Sequence, residues 1–230
     1  MYFELKENRP HGTPENPFSQ YHISDVKRAF QIPVHWHDEL EIIYVKQGKL
    51  HVTISGENYI GSPKDAFVVS PGSQHFMGSP TGDADYYTFL FPLEYISFQT
   101  DDLMEKSILS PLKRGRLMIS PQINDTAADI CERLIEINAQ ISGKNAENTD
   151  AANIEAQFET KITLIKFIRK MWRNGLILEN GTNGINTTEK EMITYIWQNY
   201  TREISLKEFG AQFHLSEKYI SRYFKEHFHI

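Results

Sequence analysis

Four side chains able to bind a metal or a polar ligand stand out in this 230-residue sequence: His35, His37 and Glu41 close together, and a later histidine, His75. The first three have odd numbers, so on an extended strand they point to one side and can converge on one ligand. Imidazoles plus a carboxylate suit Zn, Ni, Mn or Fe. The same set can hydrogen-bond a polar metabolite in a pocket, or satisfy one another inside a core. Spacing leaves these three readings open. Trp36 and Tyr44 are candidates to wall a pocket and stack on a sugar, while Ile43 and Val45 share the inward parity. Glu39 lies on the same face as the ligand set, and Phe67 and Phe76 flank the stretch from Pro71 to His75, as core or pocket wall.

A second constellation lies at the other end. Ser205 to Phe228 reads as a helix-turn-helix, with Leu206, Phe209 and Gly210 on one face of a first short helix. Ala211 is small enough for a second helix to cross nearby. His214-Leu215-Ser216 forms the turn, and Ser216 is placed to cap the second helix. Ile220, Tyr223 and Phe224 recur at helical spacing and face the core. That leaves Lys218, Ser221, Arg222 and Lys225 outward, with Ser216 at the tip. Arg reads guanine edges in a major groove, and Lys and Ser meet phosphates and bases. Residues 189–230 hold six basic and six acidic side chains, while the whole chain carries −6. The neutral end is therefore the part that repels DNA least, and its phosphate attraction is weak.

The elements that position these groups emerge from the hydropathy pattern. Up to about Leu93 the chain is strand-rich: Leu40 to Lys46, Leu50 to Ile54, Tyr59-Ile60, Ala66 to Val69 and Tyr86 to Phe91. Gly48-Lys49 has the look of a hairpin tip. From Ile123 the period changes, and Ile123, Ala127, Ile130, Leu134, Ile137 and Ile141 predict an amphipathic helix. Ile154, Phe158, Ile162, Ile165, Ile168 and Trp172 predict a second. Both stripes can pack on the barrel or form a dimer seam. Leu176 to Thr188, with Asn180-Gly181-Thr182-Asn183-Gly184, reads as a linker. The expected fold class is α+β: a domain over 1–175 with a barrel at about 20–100 and helices at about 123–174, a linker at 176–187, and a helical module at 188–230. The single Cys131 excludes an internal disulfide framework and is expected as core filler. No apolar run reaches the length of a membrane span, and a soluble cytoplasmic protein is expected.

His35-Trp36-His37-Asp38-Glu39-Leu40-Glu41 with Gly48 resembles the first cupin motif, and Asp65, Pro71 and His75 resemble the second. Lys64 stands where that family usually has glycine, and the usual glycine ahead of the first histidine is absent. A cupin-like double-stranded β-barrel, two long helices, a linker and a C-terminal helix-turn-helix together resemble the AraC family of transcriptional regulators. Tyr219 to Lys225 is similar to that family's first recognition helix. The resemblance implies a sensing barrel for a sugar or other small polar metabolite, a homodimer, and double-stranded DNA as partner. By matching position it places Lys218, Ser221 and Arg222 on bases and Lys225 near the backbone. The family carries two helix-turn-helix motifs, and this sequence stops at Ile230 after the first. Either a truncated form or a naturally short product is expected, with DNA binding weaker than that of a form extended by a second motif. The alternative function is a metal-dependent cupin enzyme, but no base-plus-orienter pair is recognisable and a DNA-reading tail has no use in one, so no enzyme activity is expected.

Overall fold

A computed structural model describes residues 6–7, 9–24, 29–142, 150–180, 192, 195–196, 199, 202 and 204–228. Its front part is two facing antiparallel sheets. One runs in the order β1 (Ser19–Ile23), β8 (Asp85–Phe91), β3 (Leu40–Gln47), β6 (Ala66–Val69), β10 (Gln122–Asn124). The other runs β2 (Phe30–His35), β7 (His75–Ser79), β4 (Leu50–Ile54), β5 (Glu57–Gly61). Strand alternation decides what each face buries. Ile43, Val45, Phe67 and Val69 from the first sheet meet Leu50, Val52, Ile54 and Met77 from the second, closing an interior between them. The odd-numbered side of β3 is thus the inside, as the pattern predicts.

The outer face of the five-stranded sheet is equally apolar, so it needs a cover. Leu40, Ile42, Val68, Phe89 and Phe91 are buried there against α2 (Ala128–Ser142) and α3 (Asp150–Arg173). Glu132 fixes α2 to the sheet. It accepts hydrogen bonds from Tyr44 Oη (2.8 Å) and from Lys46 Nζ (2.5 and 2.7 Å). Lys170–Asp129 (2.6 Å) and Arg133–Glu159 (2.8 Å) join the two helices. The short helix α1 (Ser110–Lys113) comes directly after a π-helical turn at Glu105–Leu109. No helix among the described residues is long and apolar enough to cross a membrane.

Several expectations need correction. Ile123 lies in β10 and pairs across to β6, so the helix starts later, after a short 3-10 turn at Asp125–Ala127. Gly48 is not a hairpin tip: β3 and β4 belong to different sheets, and the chain turns the corner between them there. Gly48 has φ +71°, and a Cβ would collide with the Asp83 carbonyl oxygen, so only glycine fits that corner. The expected linker begins too early. Ile177–Glu179 forms β11, paired with β9 (Leu117–Ile119), because a short apolar run found an edge to join. Residues 181–187 of that linker lie outside the described residues.

The C-terminal unit has a small core of its own. Helix α4 (Leu206–Phe213) and helix α5 (Glu217–Phe228) pack through Phe209, Ile220 and Tyr223, with Met192. Ser205 caps α4 by accepting from Glu208 N–H (3.1 Å), and Ser216 caps α5 by accepting from Tyr219 N–H (3.2 Å). His214 takes the left-handed conformation that ends α4. The residue that permits the close crossing is Gly210, not Ala211: a Cβ on Gly210 would sit 2.5 Å from the Leu215 carbonyl oxygen, whereas Ala211 is exposed. Leu206 is also exposed, at 47%. Its place at the first helical position points it past the partner helix.

Candidate functional site: a histidine–carboxylate cluster at one end of the barrel

Strand register assembles the site. β2 and β7 are antiparallel, and His35 and His75 are direct cross-strand partners. Their rings lie 4.1 Å apart. Pro33 cannot donate to the ladder, and the register shifts between Ile32 and His35. His37 comes just beyond β2, and Glu41 projects inward from the start of β3. Nε2 of His37 lies 3.3 Å, and Nε2 of His75 3.0 Å, from the same Glu41 oxygen. His37, Glu41 and His75 are all buried. The three imidazoles each present one nitrogen within 4.8 Å of the others.

The tautomers are set from outside. Nδ1 of His35 faces the Pro33 carbonyl (2.8 Å), Nδ1 of His37 that of Glu39 (3.1 Å), and Nδ1 of His75 that of Ser73 (3.0 Å). A carbonyl only accepts, so each Nδ1 carries the proton and each neutral ring turns an unprotonated Nε2 toward the middle. Lone pairs facing a carboxylate repel unless a proton or cation sits among them. His37 meets this partly. Burial disfavours its charge, but the hydrogen bond to Glu41 and the nearby carboxylates outweigh that and raise its pKa. Burial likewise pushes Glu41 up, yet His37 and His75 hold it far below the usual carboxylate range. His35 is lowered by burial and then by the His75 charge. Among the described residues, Nε2 of His75 still lacks an aligned hydrogen-bond partner despite its closeness to Glu41.

Two further members had no signal in the sequence. The N-terminal segment returns over this end of the barrel, with Glu7 N–H donating to the Trp36 carbonyl (2.9 Å). Lys6 pairs with Asp38 (2.8 Å). Glu7 then lies 3.4 Å from His11 Nε2 and 3.7 Å from His35 Nε2. His11, so close to the Glu7 carboxylate, is the main cause of its lowered pKa. His11 is itself buried, with Nδ1 3.1 Å from Tyr21 Oη. Only the chain's return path brings these groups close, so no local spacing could have revealed them.

The flanking aromatics fall elsewhere. Tyr44 is even-numbered and faces the helices, where it binds Glu132, so it does not line this site. Trp36 is half-buried with the Lys6 ammonium 4.9 Å from its ring centroid. Phe67 is fully buried in the interior. Of the DNA-facing candidates, Lys218, Ser221, Arg222 and Lys225 are all exposed on α5, while Ile220 and Tyr223 are buried. Ser216 is exposed and spends its hydroxyl oxygen on the cap of α5.

Residues 17–156 match the family model of the AraC-like ligand binding domain. The chain belongs to that family. Its AraC-like domain comprises the two sheets from β1 to β10, α2 and the first turns of α3. Over 197 residues the chain is 23% identical to the uncharacterized HTH-type transcriptional regulator YdiP of Escherichia coli (strain K12), which covers 85% of this chain. The match takes in 61% of that regulator's length. Solved structures similar to one third of the AraC-like chain include an RmlC-like cupin from Shewanella frigidimarina NCIMB 400 and the Bacillus subtilis oxalate decarboxylase with Mn(II) centres. The first is 25% identical with a TM-score of 0.31, over 33% of this chain and 66% of that one. The second is 22% identical with a TM-score of 0.29, over 33% and 21%. The family match and the two facing sheets together make the front domain a cupin-like β-sandwich.

Proposed function

We propose that this AraC-like chain works as a ligand-responsive, DNA-binding transcriptional regulator, and not as an enzyme. The observation that carries it is the joining of a ligand-binding-domain match over the barrel to a separately cored helix pair with a basic outward face. Lys218, Ser221 and Arg222 meet base edges and Lys225 the phosphates. The effector is a small polar metabolite, such as a sugar, bound at the His35–His37–Glu41–His75 end of the barrel. Val34 supports coupling: it is the neighbour of His35 on β2 and packs against the core of α4 and α5. A ligand that prefers one arrangement of β2 therefore biases the helices.

The cluster also fits a divalent metal. Three Nε2 lone pairs converge, His75 Nε2 is buried beside Glu41 without an aligned hydrogen bond among the described residues, and Glu41 and Glu7 together balance a 2+ charge. Such an ion would supply a Lewis-acid anchor for an oxygen ligand. Zn, Ni, Mn and Fe all suit the donor set. An enzyme would use the same ion, and turnover by metal-loaded protein would favour that alternative.

The exposed side of α3 supports a homodimer. Ile154, Phe158, Ile162 and Trp172 lie along it, 54%, 61%, 43% and 59% exposed. A monomer would leave that stripe in water.

The test is fluorescence anisotropy of the chain on duplexes from its own promoter region, with and without added metabolites. A fragment should bind more tightly than random duplex, with affinity changed by an effector. The paired variant Lys218→Ala, Arg222→Ala should weaken binding about tenfold or more. Equal affinity for every duplex, unaltered by that pair of substitutions, overturns the reading.

A further inference from the structure

A cavity of about 580 Å³ lies away from the barrel cluster, between the N-terminal segment around residues 13–20 and the helices α2 and α3. That is within the size range of small-molecule sites, roughly 300–1,000 Å³. We propose that it is a second binding site, and that it takes a small organic amine with an apolar body.

The chemistry of the walls selects that class. Phe18, Leu134, Ile137 and Ile154 give an apolar bed with one aromatic ring. Glu15 and Asp150 stand at the rim, both exposed, and no described residue forms an ion pair with either. No Lys, Arg or His among the described residues lines the cavity. An anion finds no counter-charge in those walls, while an ammonium finds two carboxylates. Gln20 also lines the cavity, and its Oε1 is a buried acceptor without a hydrogen-bond partner among the described residues. An acceptor in want of a donor is met by an N–H or O–H, not by a carboxylate. Gln157 holds the rim in place, donating from Nε2 to the Glu15 backbone carbonyl (3.1 Å).

The position also gives the site a consequence. Its walls come from the segment that leads back to Glu7 and His11 and from a face of α3 that includes Ile154, one turn before the exposed Phe158. An occupant ties the N-terminal segment to α3, linking the barrel cluster to the exposed stripe.

The experiment is thermal unfolding of the full chain with tyramine or n-hexylamine at millimolar concentration, beside their carboxylate counterparts para-hydroxyphenylpropionate and heptanoate. The amines should raise the midpoint by several degrees, saturably, and the carboxylates should not. The double variant Glu15→Gln, Asp150→Asn, both surface changes, should weaken amine binding about tenfold or more by titration. Gln20→Met should weaken it similarly, and His75→Ala should leave it unchanged. The proposal is overturned if neither amine shifts the midpoint, if the carboxylates shift it as much, or if the response survives Glu15→Gln, Asp150→Asn. Loss with His75→Ala alone would place the amine at the barrel cluster and also overturn it. Metal and DNA binding are read separately, so failure here leaves the regulator reading untouched.

Discussion

Lys64 carries a backbone strain that its neighbours do not. Its φ is +78°, in the left-handed region that costs a side-chain-bearing residue about 1–2 kcal/mol. Its N–H is nevertheless locked onto the Val45 carbonyl at 2.8 Å, which holds the turn ahead of Asp65 in place. Glycine relieves the strain but loses more chain entropy on folding. Lys64→Gly is therefore expected to gain about 0.5–1 kcal/mol, read as a raised midpoint in urea unfolding with unchanged slope. Glu105 shows the opposite balance. It is buried, which alone would raise its pKa, but Lys113 Nζ at 2.6 Å, Phe98 N–H and the Ser110 hydroxyl outweigh burial and lower it. A lowered folded-state pKa means the carboxylate contributes stability above its unfolded value of about 4.3 and loses it as pH falls through the folded one. Glu105→Gln should cost about 2 kcal/mol at neutral pH. It should also flatten the stability loss below about pH 4, measured by denaturant titration across pH.

Helix α3 separates two apolar stripes on one cylinder. The inward one, Leu164, Phe167, Ile168 and Met171, is buried with Thr160 and Thr163, whose short side chains face the interior of the domain. The outward one holds Ile154, Phe158, Ile162 and Trp172. By contrast, the α2 stripe of Ile130, Leu134 and Ile137 is buried within the domain, with no comparable outward row among the residues of α2 whose side chains are described. A seam of two chains should therefore run along α3 and not α2. Sedimentation velocity should show a dimer for the chain and a monomer for Phe158→Glu, Ile162→Glu. Both positions are exposed within the chain, so far-ultraviolet circular dichroism should be unchanged. A dimer that survives both charges would exclude this face.

Across the whole molecule, the helical cover and the outer sheet face make one continuous core, which reaches from Phe91 to Met171 and encloses Cys131. Burial raises the Cys131 thiol pKa well above its ordinary value, so thiolate is scarce as well as inaccessible. Reaction with a thiol reagent should be about a thousandfold slower, or more, than in denaturant, and should track global unfolding. Fast reaction in the native state would mean that α2 opens locally from the sheet.

The change from strands to helices, the inward side of β3 with Glu41, the Ser216 cap and the outward set Lys218, Ser221, Arg222 and Lys225 were legible in the sequence. Each is a local property: strand period two, helix period 3.6, and side-chain capping within a few residues. One extended strand through His35, His37 and Glu41 was not found: β2 ends at His35, His37 follows it, and Glu41 belongs to β3 in the other sheet. Tertiary structure alone decided the rest. The pairing of His35 with His75 depends on strand register, and the arrival of Glu7 and His11 on a return path. The corner at Gly48, the strand at Ile177–Glu179 and the outward stripe of α3 depend on which neighbours each segment finds. Hydrophobic period tells a helix or strand that it must bury a face, but contacts between residues far apart in the chain decide against what.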